Sequence, residues 1–523
     1  MNHLLLSQQS IQEPVSMNFL DELKNISDDA QLDNQSNLIG ALSVLHCYEE
    51  TFDYFANKYP RLSINVTGGL YIKFADSNVL NVLLENNIGD GIGITIAQAA
   101  LVSSLPSFSG NTDITSFDEL KYFTRITSSP MFSGCTNLES IDLSGITYLS
   151  QTAFKQTALK KVTALNVTSS SWQVFWGCKS LEEANISSLN ITSGEQADMF
   201  NGCTNLKKVI LKPNTTYLPN SFFSGCSKLE EVENLDFSEL TATGVMTFGS
   251  CNSLFGEDKP FVNSNITSLN KKVFISNTSI TEVRLPNCTE IIASTDNQGA
   301  FQSCTNLHTA VFSPLLDTIP LRTFQYCTNL KTFDFSNIKY IGNYVFDSSG
   351  IENINDMNKI IEIGNMAFNK CYGLTSVSLP ETLTSCGSSA FENCTNITSV
   401  VLPNSLTVIP NSMFNICRNL VSVTLGNAVT SIGRNAFAYC SNLQRIELPA
   451  TVTSIDDWAF GNCKNGFKLI IHAITPPTFL AYEGLHILNA VVGSKIYVPD
   501  DSVEAYKSAW TNFTDKIYGM SEM

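Results

Sequence analysis

From about residue 130 to residue 470, apolar positions recur with a period too long for one helix or strand and too regular for a loop. Toward the end of this stretch the pattern is easiest to read. After Cys394 come Ile397, Val400 and Leu402; after Cys417 come Leu420, Val423 and Leu425; after Cys440 come Leu443, Ile446 and Leu448. The closing apolar-x-apolar step has a period of two, which places Val400 and Leu402 on one face of a short strand. Pro380, Pro403 and Pro449 follow such strands, and Pro ends a strand because it has no N–H for a ladder. A further apolar residue and a Phe (Ile409 then Phe414, Ile432 then Phe437, Ile455 then Phe460) return the chain to the same axis. One such coil cannot bury its apolar face alone, whereas stacked coils can, so the pattern predicts a solenoid.

Cysteine sharpens the period. Of 15 cysteines, twelve sit three residues after a Phe: Cys135 after Phe132, then Cys178, Cys203, Cys226, Cys251, Cys304, Cys327 and Cys371, then Cys394 after Phe391, Cys417 after Phe414, Cys440 after Phe437 and Cys463 after Phe460. The last five follow at a constant interval of 23 residues. Where the interval doubles, Phe154 before Thr157, Phe274 before Asn277 and Phe346 before Ser349 fill the gap, giving about fifteen coils. Stacked coils would bring successive thiols within disulfide range. Yet Thr, Asn and Ser replace Cys without breaking the pattern, which fits a small, buried, weakly polar position. Outside the series stand Cys47, Cys288 and Cys386, with no Cys-x-x-Cys pair that would point to zinc.

The unit Phe-x-x-Cys-Thr-Asn-Leu-x-x-Ile/Val-x-Leu-Pro resembles the BspA-like, Treponema pallidum-type leucine-rich repeats. That family is abundant in surface proteins of Bacteroidetes and in some mucosal protists. The resemblance implies a leucine-rich repeat solenoid of short parallel strands with a small mixed C-terminal cap. Thr475-Pro476-Pro477, Ile496-Tyr497-Val498-Pro499 and the run from Val503 to Trp510 are similar to the C-terminal cap of Bacteroides members. Residues 74–123 are similar to their lead-in, where a loop often reads like a calcium-binding EF-hand loop. Asn86 and Asp90 remain here as candidate ligands, but Ile88 stands at the third position and Ala97 at the twelfth. Without its bidentate carboxylate such a loop should hold calcium poorly or not at all.

Four segments follow from this reading: an N-terminal arm and amphipathic helix over 1–60, a lead-in module over 61–128, the solenoid over 129–470 and the cap over 471–523. In the first, Leu38, Leu42, Leu45, Phe52 and Phe55 recur at helical spacing, with Asn37 as N-cap and Pro60 beyond the end. Such a helix would pack back on the first coil, or assemble with other proteins or copies of itself.

Charge narrows the partners. Thirty-one basic against 48 acidic residues give a net charge of −17, which argues against a phosphate-backbone binder, because neutralising phosphates takes clustered Lys and Arg. No window approaches the ~18–20 apolar residues of a membrane span. The start, Met1 to Ser7, has no cation before its short apolar stretch and so lacks the form of a secretory leader. The expectation is then either a leader absent from this chain or export by another route.

Candidate chemistry is sparse. The five histidines include no His-x-x-x-His or His-Glu pair, no Gly-x-Ser-x-Gly elbow is present, and Gly89 to Gly93 lacks the Lys and helix of a phosphate loop. No catalytic residue, metal ligand set or cofactor is expected. What remains is the outward face of the strands. The positions flanking each inward apolar residue are Ser140 and Asp142, Thr309 and Val311, Thr332 and Asp334, Ser376 and Ser378, Ser399 and Val401, Ser422 and Thr424, and Glu447. Short hydroxyls in rows either simply fill strands or form a hydrogen-bonding strip with little side-chain entropy to lose on binding. The reading is a non-enzymatic recognition or adhesion protein for a protein or glycan on a host or neighbouring cell. Its context would be a phage virion, as a tail- or fibre-like component anchored by the N-terminus, or a bacterial cell surface, as an adhesin.

Overall fold

The coil from Phe391 to Phe414 shows why the period works. Its first strand, Ser399–Val401, pairs in parallel with Ser376–Ser378 and Ser422–Thr424, setting Val400 opposite Val377 and Val423. After Pro403 the chain turns into Val408–Ile409, which pairs in parallel with Ser431–Ile432. The third side is the Phe turn. Here Ser389, Phe391 and Asn393 each donate a backbone N–H to the next coil, at the carbonyls of Asn411, Met413 and Asn415 (2.9, 2.9 and 2.7 Å). Ser389 and Asn393 are left-handed, both with φ of 58°, and the recurrence of this conformation two residues before and after the Phe lets alternate N–H groups point the same way. Each coil is thus hydrogen-bonded to the next on three sides, so the backbone groups of a nearly strand-free turn are still satisfied.

The computed structural model describes residues 62–65, 69–192, 194–479, 487–488 and 491–523. The fold is a parallel β-solenoid of about 17 turns, and the chain divides into two compact units, Met1–Ser169 and Ser170–Met523.

In the second unit the Phe rings form a column: Phe368 on Phe391, Phe391 on Phe414 and Phe414 on Phe437 have centroids 5.3, 5.5 and 5.6 Å apart and planes within 12° of parallel. Each ring is fully buried, as are the Leu or Ile that follow each Cys. Phe274 and Phe346, the slots that lack Cys, are in the same column. The second unit ends on the expected cap. Strands Lys495–Val498 and Ile517–Gly519 continue the pairing begun by Lys468–Ile471. The short helix Val503–Ala509 then brings Tyr506 and Trp510 onto the last coil. The Tyr506 hydroxyl donates to the Ala473 carbonyl (2.7 Å) and Trp510 Nε1 to that of Pro477 (3.0 Å), so two large aromatic side chains are buried with their polar atoms paired.

The first unit begins the stacking earlier than the Cys pattern indicates. Phe108 lies 4.6 Å from Phe132 with planes 3° apart, and strand Ser116–Phe117 pairs in parallel with Ser140–Ile141. The slot three residues after Phe108 is Asn111, which is why a series keyed to Cys passes over it. Before it lie an antiparallel hairpin, Leu62–Asn65 with Gly69–Ile72, and the helices Ser77–Glu85 and Ile96–Leu101. Asp76 caps the first helix through Asn78 N–H (2.8 Å) and also accepts the Thr115 hydroxyl (2.9 Å), fixing the lead-in to the start of the first coils. Leu38, Leu42, Leu45, Phe52 and Phe55 lie outside the described residues.

Candidate recognition surface

The Phe/Cys series is interior. Phe132, Cys135, Phe391, Cys394, Phe414, Cys417, Phe437, Cys440 and Phe460 are fully buried and Cys463 nearly so. Each thiol has a job in the stack: Cys394 Sγ donates to the Phe368 carbonyl (3.0 Å), Cys417 to Phe391 (3.3 Å) and Cys440 to Phe414 (3.3 Å), one coil back each time. The same carbonyl already accepts the Cys N–H of its own coil, so the thiol satisfies its second lone pair. The substitutes are small polar residues with different bonds: Thr157 Oγ1 donates to the Phe154 carbonyl of its own coil (3.0 Å) and the Ser349 hydroxyl pairs with Cys371 Sγ (3.5 Å), whereas Asn277 keeps the bond one coil back. Asn277 Nδ2 reaches the Phe248 carbonyl at 3.2 Å. Burial pushes these thiols up, Cys371 to about 12, and away from the thiolate that redox or metal chemistry requires. The described cysteines are all free thiols.

Other polar clusters are equally committed to the fold. In the degenerate loop after Glu85, the Asp90 carboxylate accepts the Tyr71 hydroxyl and the N–H groups of Ile92 (3.0 Å) and Gly93 (2.9 Å). The Tyr71 hydrogen bond, with those two N–H groups, holds Asp90 below the usual carboxylate range. His308 rests on the Thr309 hydroxyl (2.9 Å) with Glu257 3.6 Å from its other ring nitrogen. Among the described residues, no group of three or more His, Cys, Asp or Glu is placed to hold a metal ion.

The outward face of the first strands differs from these. Register puts Ser376, Ser399 and Ser422 in one column and Ser378, Val401 and Thr424 in a second, separated by the inward Val377 and Val400 and the half-buried Val423. Glu447 lies in the following strand, Arg445–Leu448, and is exposed. Ser376, Ser378, Val401, Ser422 and Thr424 are exposed and Ser399 is half-buried. Thr309 and Val311 occupy the equivalent places on the strand Thr309–Phe312. Thr332 and Asp334 are exposed too, but their coil forms no regular strand there, and Asp334 accepts the Ser336 N–H instead. In the first unit Ser140 and Asp142 are half-buried, with Asp142 capping the Ser144 N–H at 2.9 Å.

Threonines just outside the strands use their hydroxyls differently from the residues within the first strands. One residue before the second strands, Thr384, Thr407, Thr430 and Thr453 form a column tied to the backbone, and one residue before the first strands Thr398 Oγ1 donates to the Thr375 carbonyl in the same way (3.1 Å). Thr384 Oγ1 donates to the Ile361 carbonyl (3.3 Å), Thr430 to Thr407 (3.1 Å) and Thr453 to Thr430 (3.2 Å). These threonines are structural. Among the described residues, no such bond engages the side-chain hydroxyls of Ser376, Ser378, Ser399, Ser422 or Thr424. Their donors and acceptors face outward beside the methyls of Val401, which is 46% exposed, and of Val421, which is 53% exposed. Val421 escapes sequence reasoning because it lies one position outside the alternating pattern.

The family model described as BspA type leucine rich repeat region matches in successive overlapping segments, from residues 104–182 through 339–466. None of the curated proteins matches. Among solved structures, a leucine-rich repeat protein from Bacteroides ovatus is 20% identical, with 68% of this chain and 88% of that one covered and a TM-score of 0.49. A leucine rich cell surface protein from Faecalibacterium prausnitzii is 22% identical over 60% of this chain and 87% of its own, with a TM-score of 0.37. A leucine-rich repeat protein from Eubacterium ventriosum is 20% identical over 55% and 83%, with a TM-score of 0.34.

Proposed function

The chain belongs to the BspA-type leucine-rich repeat family, and from that premise we propose that it is a non-enzymatic recognition protein that binds a protein or glycan through the outward face of its first strands. The observation that supports this is the contrast between the threonines that precede the strands and the hydroxyls within the first strands. Thr398, Thr430 and Thr453, each one residue before a strand, are bonded to backbone, while among the described residues no hydrogen bond engages the side-chain hydroxyls of Ser376, Ser378, Ser399, Ser422 and Thr424, which stand in register. A preformed, short-side-chain surface loses little entropy when a ligand settles on it. Exposed methyls between hydroxyls suit partners that offer both apolar and hydrogen-bonding edges.

In this reading residues 1–60 carry attachment, and family membership supports display on a bacterial cell surface. Display on a phage particle, as a tail- or fibre-like component, is the competing context. Biotinylation of intact cells against imaging of purified particles separates the two.

The recognition face is tested by applying the full-length protein to glycan and host-protein arrays beside the variant Ser399→Arg/Val401→Glu. Both positions point outward, so the melting temperature should stay within a few degrees. Binding should fall by about tenfold or more, since bulk and charge now occupy the middle of the face. Array binding that is unchanged in the variant sinks the proposal.

A further inference from the structure

The first outward column changes character at the C-terminal end. The 23-residue interval takes Ser422 to Arg445, register carries Arg445 onto Lys468 and Lys495 on successive strands, and Lys516, immediately before the strand Ile517–Gly519, is next in line because Ile496 pairs with Ile517. Three cations therefore stand on consecutive strands and a fourth just before the next one, at about the ~4.8 Å strand spacing, in a chain whose net charge is −17. Like charges directly opposite on neighbouring strands destabilise a sheet, so this arrangement is not what packing alone would choose. Among the described residues, only Arg445 of the four is ion-paired, with Glu447, whose other oxygen lies 3.5 Å from His472 Nε2.

The ammonium groups are also positioned. Lys468 Nζ lies 5.8 Å from the Tyr497 ring centroid and Lys495 Nζ 4.8 Å from that of Tyr518, each one strand ahead; Lys516 Nζ lies 5.7 Å from the Phe513 ring. A cation held over an aromatic face is restrained without being neutralised. Lys495 and Arg445 remain exposed and Lys468 and Lys516 half-buried. The column is thus a row of pre-set positive charges with no described carboxylate answering three of them.

We propose that this column binds a linear acidic polysaccharide, with carboxylates or sulfates of successive sugars lying along Arg445, Lys468, Lys495 and Lys516. An extended pyranose chain advances by about one ring per residue, comparable to the ~4.8 Å strand step, so it can present anions at the column's own repeat. Nucleic acid fits less well. Duplex binders neutralise ~6–10 phosphates, and here four cations stand in a single row, fewer than a duplex needs and on one line only. The proposal does not depend on the hydroxyl columns acting as a binding face, because it rests on other strands and other chemistry.

The test uses full-length protein and polygalacturonate of defined length at low ionic strength, with neutral dextran and single- and double-stranded DNA as competitors. Binding should weaken steeply with added salt. It should fall by about tenfold or more in Lys468→Glu/Lys495→Glu, and by less in Lys468→Gln/Lys495→Gln. Both variants relieve like-charge repulsion, so neither should lower the melting temperature. Ser399→Arg/Val401→Glu should bind polygalacturonate at least as well as the parent, which keeps failure of the two readings separate. Absence of binding by the parent, equal competition by dextran, or preference for DNA would each overturn the assignment.

Discussion

At the scale of single residues, a Cys three after a Phe gives the preceding coil's Phe carbonyl a second donor. Cys417 supplies it to Phe391 from a fully buried site. A hydroxyl of similar size can do the same, while an isosteric apolar group leaves the oxygen with only its own coil's backbone N–H and loses a buried hydrogen bond, at a cost of about 1 kcal/mol or more. Cys417→Ser should therefore lower stability by under about 1 kcal/mol and Cys417→Val by about twice that or more, read as shifts in the urea midpoint. Equal losses in the two variants would mean that volume alone governs the position. The choice of a small donor was legible from Thr157, Asn277 and Ser349 standing in for Cys. The acceptor was not, because nothing in one coil's sequence says that its Phe carbonyl faces the next coil's side chain.

At the scale of elements, the cap closes an end that every solenoid must protect. Its two anchors, Tyr506 and Trp510, are buried and reach carbonyls 33 residues earlier in the chain. Trp510→Ala should cost about 3–5 kcal/mol locally and uncover the strand Lys468–Ile471 and its neighbours. The expected outcome in sedimentation velocity is concentration-dependent self-association, and a strictly monomeric, fully stable variant would contradict it. This helix was readable from the resemblance of the tail. Register was harder. The hydroxyl columns emerge from a constant 23-residue interval, but Lys468 and Lys495 are separated by 27 residues and Lys495 and Lys516 by 21. The cation column therefore exists only once strand pairing is known. Phe108 was missed for the same kind of reason, since Asn111 holds the Cys place.

At the scale of the whole molecule, the buried thiols act together. Burial raises their ionisation far above that of exposed thiols, with Cys371 at about 12 and others such as Cys226, Cys304 and Cys394 well above the ordinary value. The native state thus keeps its protons while unfolded thiols lose theirs above ~8.5. Stability is fully present below that pH and falls as pH climbs past it, by about 1.4 kcal/mol per pH unit for each such thiol. Urea midpoints measured from pH 7 to 10 should be flat at first and then drop sharply, and Cys417→Ser/Cys440→Ser should soften the drop. A midpoint unchanged to pH 10 would contradict this account of the interior.

The uniform spacing of the last five Phe turns has a genetic consequence. Phe391, Phe414 and Phe437 see nearly the same surroundings, stacked 5.5 and 5.6 Å apart with neighbours of matching type. Loss or duplication of one whole unit by unequal recombination would join ends that already fit, leaving the seam indistinguishable from any other. A lineage carrying this gene can therefore vary the reach of its protein in steps of one coil without having to evolve a new interface each time.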